Sequence, residues 1–203
     1  MRCVAQMNRL IIKAMSKISA IFSETFFGFA ISALTYASLF YFNNWLTSEL
    51  TFSLGVNWIY LPAGLRLFLT LIFGLPGAIG IALSSFLISY YGDFPHDLSV
   101  CIGIGLISGF APYLARVLVI RNIQLAPDLS DLNMPKLLGC ILVYAALSAG
   151  AHQVWFTLSG FEDAGSLNHF LVMFIGDVLG SILLIALIKY CLDSLKRFMK
   201  TAH

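Results

Sequence analysis

The chain has 203 residues, of which 59% are hydrophobic and 11% charged, with a net charge of +2. A soluble domain carries about 25% charged residues, so this one lacks the polar surface that water would need, and its small net charge gives no sign of a nucleic-acid partner. The charges gather between long uncharged stretches, the pattern of membrane spans joined by short loops.

Residues 1–20 are basic and read as a cytoplasmic amphipathic segment on the inner membrane surface, with Leu10, Ile11, Met15 and Ile18 on one face and Arg9, Lys13 and Lys17 elsewhere. The apolar run that follows has no Ala-x-Ala cleavage site, so it is expected to be a retained span. Hydropathy places spans at 23–42, 58–73, 76–91, 99–120, 137–158 and 169–190. Twenty residues rise about 30 Å, the thickness of a hydrocarbon core; the second and third spans fall short of this. The expected fold is all-α, a polytopic transmembrane bundle of about six spans with short or broken second and third spans. It occupies residues 21–191 and ends in a basic cytoplasmic tail, 192–203.

Charge sets the orientation. With a cytoplasmic N-terminus, eleven of the 12 Lys and Arg residues lie on the cytoplasmic side, and the outer loops 43–57, 92–98 and 159–168 hold none. Those loops carry Glu49, Asp93, Asp97, Glu162 and Asp163 instead. This is a strong positive-inside bias, which places both termini in the cytoplasm of a bacterial inner membrane. Trp45, Trp58 and Trp155, with Tyr41, Tyr60, Tyr90 and Tyr91, fall near outer span ends and suit an aromatic belt, or packing between helices for some of them.

Proline suits a helix's first turn, so regular helix in the second span is expected to start near Pro62. From there to Phe73 is about 18 Å, too short to cross. Either residues 57–61 enter the membrane as irregular chain, or the second and third spans form a re-entrant hairpin turning at Gly74-Leu-Pro-Gly77. The run Leu-Pro62-Ala-Gly64-Leu, then Phe73-Gly74 and Pro76-Gly77, resembles MASE1 membrane sensory domains, and Gly176-Asp177-Val-Leu-Gly180 resembles the Gly-Asp-x-x-Gly element of that family. The resemblance implies a non-catalytic inner-membrane domain that senses a stimulus and passes it to a signalling module. That family typically has about eight spans and an attached kinase, cyclase or phosphodiesterase, which this chain does not match.

Ionisable residues inside spans are costly and face protein or a cavity. Arg66 and His152 are expected about 9 Å from the outer ends of their spans and Asp177 about 12 Å. At one level Arg66 and Asp177 should pair. Two readings stay open: a structural ion pair, or a periplasm-facing pocket where Arg66 and free amides at the start of the second span hold an anion. His152 is either a packing residue or a third contact, so Arg66, His152 and Asp177 are the candidate ligand-binding residues. Small-residue pairs, Gly80 and Ser84, Gly105 and Gly109, and Gly176 and Gly180, have the spacing that lets helix backbones approach.

Cys3, Cys101, Cys140 and Cys191 are widely separated and read as packing residues or inert thiols. Asp93, His96 and Asp97 suit a solvated turn better than a metal site, and no catalytic motif or cofactor signature is present, so no enzyme is expected. The expectation is a sensory or signalling protein that binds a small, anionic ligand from the periplasmic side, embedded in the lipid bilayer and acting through a membrane or cytoplasmic protein partner. A substrate-binding subunit of a small-solute transporter and an accessory subunit of a larger membrane complex are the alternatives.

Overall fold

The computed structural model describes residues 2–92, 94–122, 126, 130–161 and 164–201, with side chains between Phe22 and Met199. Asp93, Glu162 and Asp163 of the acidic loops lie outside the described residues, as do the side chains of the basic N-terminal segment.

Six helices form in chain order: α1 (Arg2–Thr47), α2 (Leu61–Phe73), α3 (Leu75–Tyr91), α4 (Leu98–Asn122), α5 (Met134–Leu158) and α6 (Leu167–Thr201). A 3-10 turn (Ser48–Leu50) and a two-stranded hairpin, β1 (Thr51–Ser53) and β2 (Val56–Asn57), separate α1 from α2. Gly55 turns the hairpin at φ 73°. With 46 residues α1 is about 69 Å long, and α6, with 35, about 52 Å. Both run unbroken through the boundaries expected near residues 20 and 191. The segments Phe22–Leu50, Leu98–Asn122, Met134–Leu158 and Leu167–Met199 are long and apolar enough to cross a membrane. The 13 residues of α2 and 17 of α3 are shorter.

α3 packs on α1 and α4, α4 on α5, and α5 on α6, while α2 fills the middle and touches every other helix. Phe73, at the end of α2, packs on Phe27, and Leu61, at its start, bonds Asn43, so α1 and α2 run antiparallel. Tyr60 meets Gly180, and Gly64 meets Ser181 and Leu184, so α2 and α6 run parallel. Both terminal helix ends therefore share one end of the bundle. The β-hairpin lies at the other, where Gly55 meets Phe94 and Phe156.

The bundle differs from a soluble one on its outside, which is as apolar as its interior. Along α4, Leu98, Ile102, Leu106, Phe110, Leu114 and Leu118 recur every fourth residue and are all exposed, whereas Gly105, Ser108, Gly109 and Ala115 are buried. Large apolar side chains face outward because lipid solvates them, and small residues face inward because close backbone contact and hydrogen bonds join helices in lipid. Thus Gly109 sits against Ala78 and Ala82, Gly80 against Phe29 and Ala33, and Ser85 Oγ donates to Ser108 Oγ at 2.9 Å.

Gly176 and Gly180 depart from that expectation. A Cβ at either would collide with backbone, Asn57 O at Gly176 and Tyr60 O at Gly180. The pair accommodates extended chain, not a helix, and Tyr60 N donates to Gly176 O at 3.2 Å. Gly180 lies about 20 Å along α6 from Leu167, so the irregular segment does plunge into the bundle before α2 begins. The two stretches that carry the MASE1 resemblance touch here.

Candidate functional site

The start of α2 is held by a polar clamp from α1. Asn43, 1% exposed, accepts Leu61 N at 3.0 Å through Oδ1 and donates to Thr47 Oγ1 at 3.0 Å. Pro62 has no N–H, and Ala63 N donates to Tyr60 O at 3.1 Å. The amides expected to be free for an anion at this helix start are therefore already engaged or missing, and Arg66 alone supplies the charge. At the far end Gly74, at φ 60°, closes α2 by donating to Thr70 O at 3.0 Å, and α3 starts at the next residue with Pro76 in its first turn.

One turn into α2, Arg66 points into the bundle and is 2% exposed. Its Nη2 lies 4.0 Å from Asp177 Oδ1 on α6, itself 1% exposed. The shared depth inferred for these residues does bring them together, though beyond hydrogen-bond length. The guanidinium carbon sits 4.9 Å from the Tyr60 ring and 5.8 Å from that of Tyr36, within cation–π reach. The two tyrosine hydroxyls lie 3.1 Å apart, bonded to each other. Arg66 Nε and the Ser181 hydroxyl have no hydrogen-bond partner in the protein, whereas the Ser148 hydroxyl lies close enough to Asp177 and Tyr144 to act on both as a hydrogen-bond partner. A buried donor left unmade costs about 1–3 kcal/mol, so Arg66 keeps hydrogen-bonding capacity that Asp177 does not use.

Above Arg66 opens a cavity of about 310 Å³ at the hairpin end. Tyr36, Phe40 and Asn44 of α1 form one side, Ser85 and Ser89 of α3 another. Leu54, Gly55 and Asn57 of the hairpin reach over it, and His152 and Phe156 of α5 close it. Arg66 and His152 both line this space; Asp177 does not, and stands behind Arg66. The His152 Nδ1 lies 2.9 Å from Ser148 O. A carbonyl only accepts, so Nδ1 carries the proton and Nε2 is left as an acceptor. Among the described lining residues Arg66 is the one permanent charge.

The two tyrosines were not legible as site residues. Tyr60 was expected in the aromatic belt, and Tyr36 lies mid-span with no motif around it. Trp45 and Trp58 are exposed at the hairpin end as a belt requires, but Trp155 packs between helices and donates Nε1 to Val100 O at 3.2 Å. In the loop before α4, Asp97 Oδ1 accepts Ser99 N at 2.7 Å, and His96 Nδ1 lies 2.7 Å from Tyr90 O. His169 is engaged with Ser166 and the Phe52 ring. These side chains organise turns. Among the described residues no three His, Cys, Asp or Glu side chains converge as metal ligands.

Comparison of the chain with protein-family models, curated proteins and solved structures finds no match. The site must be read from its own geometry.

Proposed function

We propose that this chain is a non-catalytic, multi-pass receptor of a bacterial inner membrane that takes a small anionic solute into the hairpin-end cavity from the periplasmic side and acts through a partner protein. The observation that carries this reading is Arg66, a buried cation with unspent donors at the floor of a cavity that no described carboxylate lines. An arginine fork binds carboxylates in two-point fashion, and Asp177 behind it holds the fork in place. The volume falls at the small end of the range for ligand sites, about 300–1,000 Å³. The helices that carry the Lys and Arg clusters end together, opposite the hairpin, which supports cytoplasmic termini. The MASE1-like segments support the sensory role.

One observation favours a second reading. α2 begins part-way through the bundle after irregular chain, as discontinuous helices do in transporters, where such breaks mark solute sites. A solute-binding subunit of a transporter would use the same cavity with an energising partner.

The test is binding to the full chain in lipid nanodiscs, with melting followed against small carboxylates and matched primary amines. Carboxylates should raise the melting temperature and amines should not. Arg66→Lys should weaken carboxylate binding about tenfold, the equivalent of one charge-assisted hydrogen bond. Indifference to every carboxylate would reject the reading. On intact cells, an impermeant maleimide should leave the exposed Cys191 unlabelled; labelling would overturn the orientation.

A further inference from the structure

We infer that the solute is an aromatic monocarboxylate that also carries a hydrogen-bond donor, a class defined by the ring-rich lining of the cavity and the single charge among its described lining residues. The inference rests on the anionic-solute reading above and narrows it.

Much of the lining is made of rings. Phe40, Tyr41, Tyr60, Tyr91, Phe94 and Phe156 reach the cavity from α1, α3, α5 and the intervening segments. Phe94 and Phe156 are stacked on each other, with centroids 5.9 Å apart and planes 29° apart, so the lining at this point is itself ordered by ring–ring contact. Aromatic faces prefer a ring offset-stacked or edge-on, an orientation-dependent gain that a saturated ring of equal area does not obtain. Ser85, Ser89 and Ser108 of α3 and α4 add hydroxyls to the lining, two of them bonded to each other.

Charge then fixes the number of carboxylates. Arg66 is the one cation among the described lining residues, and Asp177 already engages part of its field from behind. A second carboxylate would lie unpaired in a buried space, which is costly. An amine would find Arg66 and no described carboxylate in front of it. His152 supplies the remaining contact. Its Nδ1 proton is committed to Ser148 O, so its Nε2 accepts, and the group that meets it must donate: a phenolic hydroxyl or a ring N–H. With about 310 Å³ available, one or two fused rings fit the scale of the site.

The probes are 4-hydroxybenzoate, benzoate, cyclohexanecarboxylate and benzylamine, titrated calorimetrically into the full chain in nanodiscs. Benzoate should bind about tenfold tighter than cyclohexanecarboxylate, which has the same charge and nearly the same size, as expected if ring–ring contacts contribute. 4-Hydroxybenzoate should bind tighter again, and benzylamine not at all. Phe40→Leu, which removes a half-buried ring at the cavity edge, should erase most of the preference for benzoate over the saturated acid. If cyclohexanecarboxylate binds as tightly as benzoate, the aromatic class is overturned and the anionic-solute reading stands. If benzoate and 4-hydroxybenzoate bind alike, the donor assigned to His152 is overturned. If no carboxylate binds, or benzylamine binds equally well, both this inference and the reading beneath it fail.

Discussion

Two ion pairs in this protein differ in the opposite sense to what their lengths suggest. Lys136 and Asp131, at the start of α5 and just before it, are in direct contact, with side chains 23% and 40% exposed. Arg66 and Asp177 stand 4.0 Å apart and are almost wholly buried. In the first pair, water and salt screen the attraction, and such contacts contribute little however close they are. In the second, each charge has lost its hydration and depends on the other, and Arg66 depends also on the rings of Tyr36 and Tyr60. The comparison teaches that separation does not rank ion pairs; burial does. It also shows that a buried pair left loose, with Arg66 Nε unpartnered, retains a donor that a closed pair would have used.

The sharpest way to break this comparison is to remove one partner of the buried pair. Asp177→Asn or Arg66→Gln should each lower stability by about 3–5 kcal/mol, since the remaining charge is left uncompensated. The double substitution should cost well below the sum of the two, read from denaturant unfolding in micelles. Simple additivity would show that the two residues do not act as a pair.

A smaller effect is expected from the framework behind Asp177. Gly180→Ala places a methyl group against Tyr60 O and should destabilise by about 1–3 kcal/mol through overpacking. Gly150→Ala is the control: the nearest atom to its new methyl is a Phe170 carbon at 3.9 Å, and helix propensity should make it neutral or stabilising by about 0.5–1 kcal/mol. Equal melting curves for the two variants would mean that the seam between α6 and residues 57–61 is not tightly packed.

The smallest effect belongs to the exposed pair. The hydrogen bond from Lys136, and then that from Ala126 N, hold the Asp131 carboxyl below its usual range. A lowered carboxyl pKa means that its contribution is present above the ordinary Asp value and vanishes as pH falls through the lowered one. Asp131→Asn should therefore separate from the wild type only slightly near neutral pH, with the two melting curves converging in acid. A gap that persists or widens in acid would show that the pair's effect is not electrostatic.

Much of the architecture was legible because lipid imposes a coarse rule on sequence. Uncharged runs of sufficient length mark α1, α4, α5 and α6, and the position of Pro62 warned that α2 would start late. The depth argument placed Arg66 and Asp177 at one level, where they meet. The amides at the head of α2 could not be judged in the same way, because Asn43, which takes one of them, lies on another helix. Gly176 and Gly180 carried the mark of close approach but not the identity of what approaches. Tyr36, Tyr60 and the cavity serines had no local signal, since an aromatic or small residue in an apolar helix reads alike whether it faces a cavity, a neighbour or lipid.

The sequence by itself determined the solvent of this protein and the heights of its charges, because both follow from how much polar surface each stretch carries and where it must sit to be hydrated. Tertiary structure alone decided which rings flank Arg66, that Asp177 supports the cavity from behind while His152 faces it, and that the hairpin reaches over it. Those outcomes depend on the rotation of each helix about its axis, which is set by contacts between residues far apart in the chain.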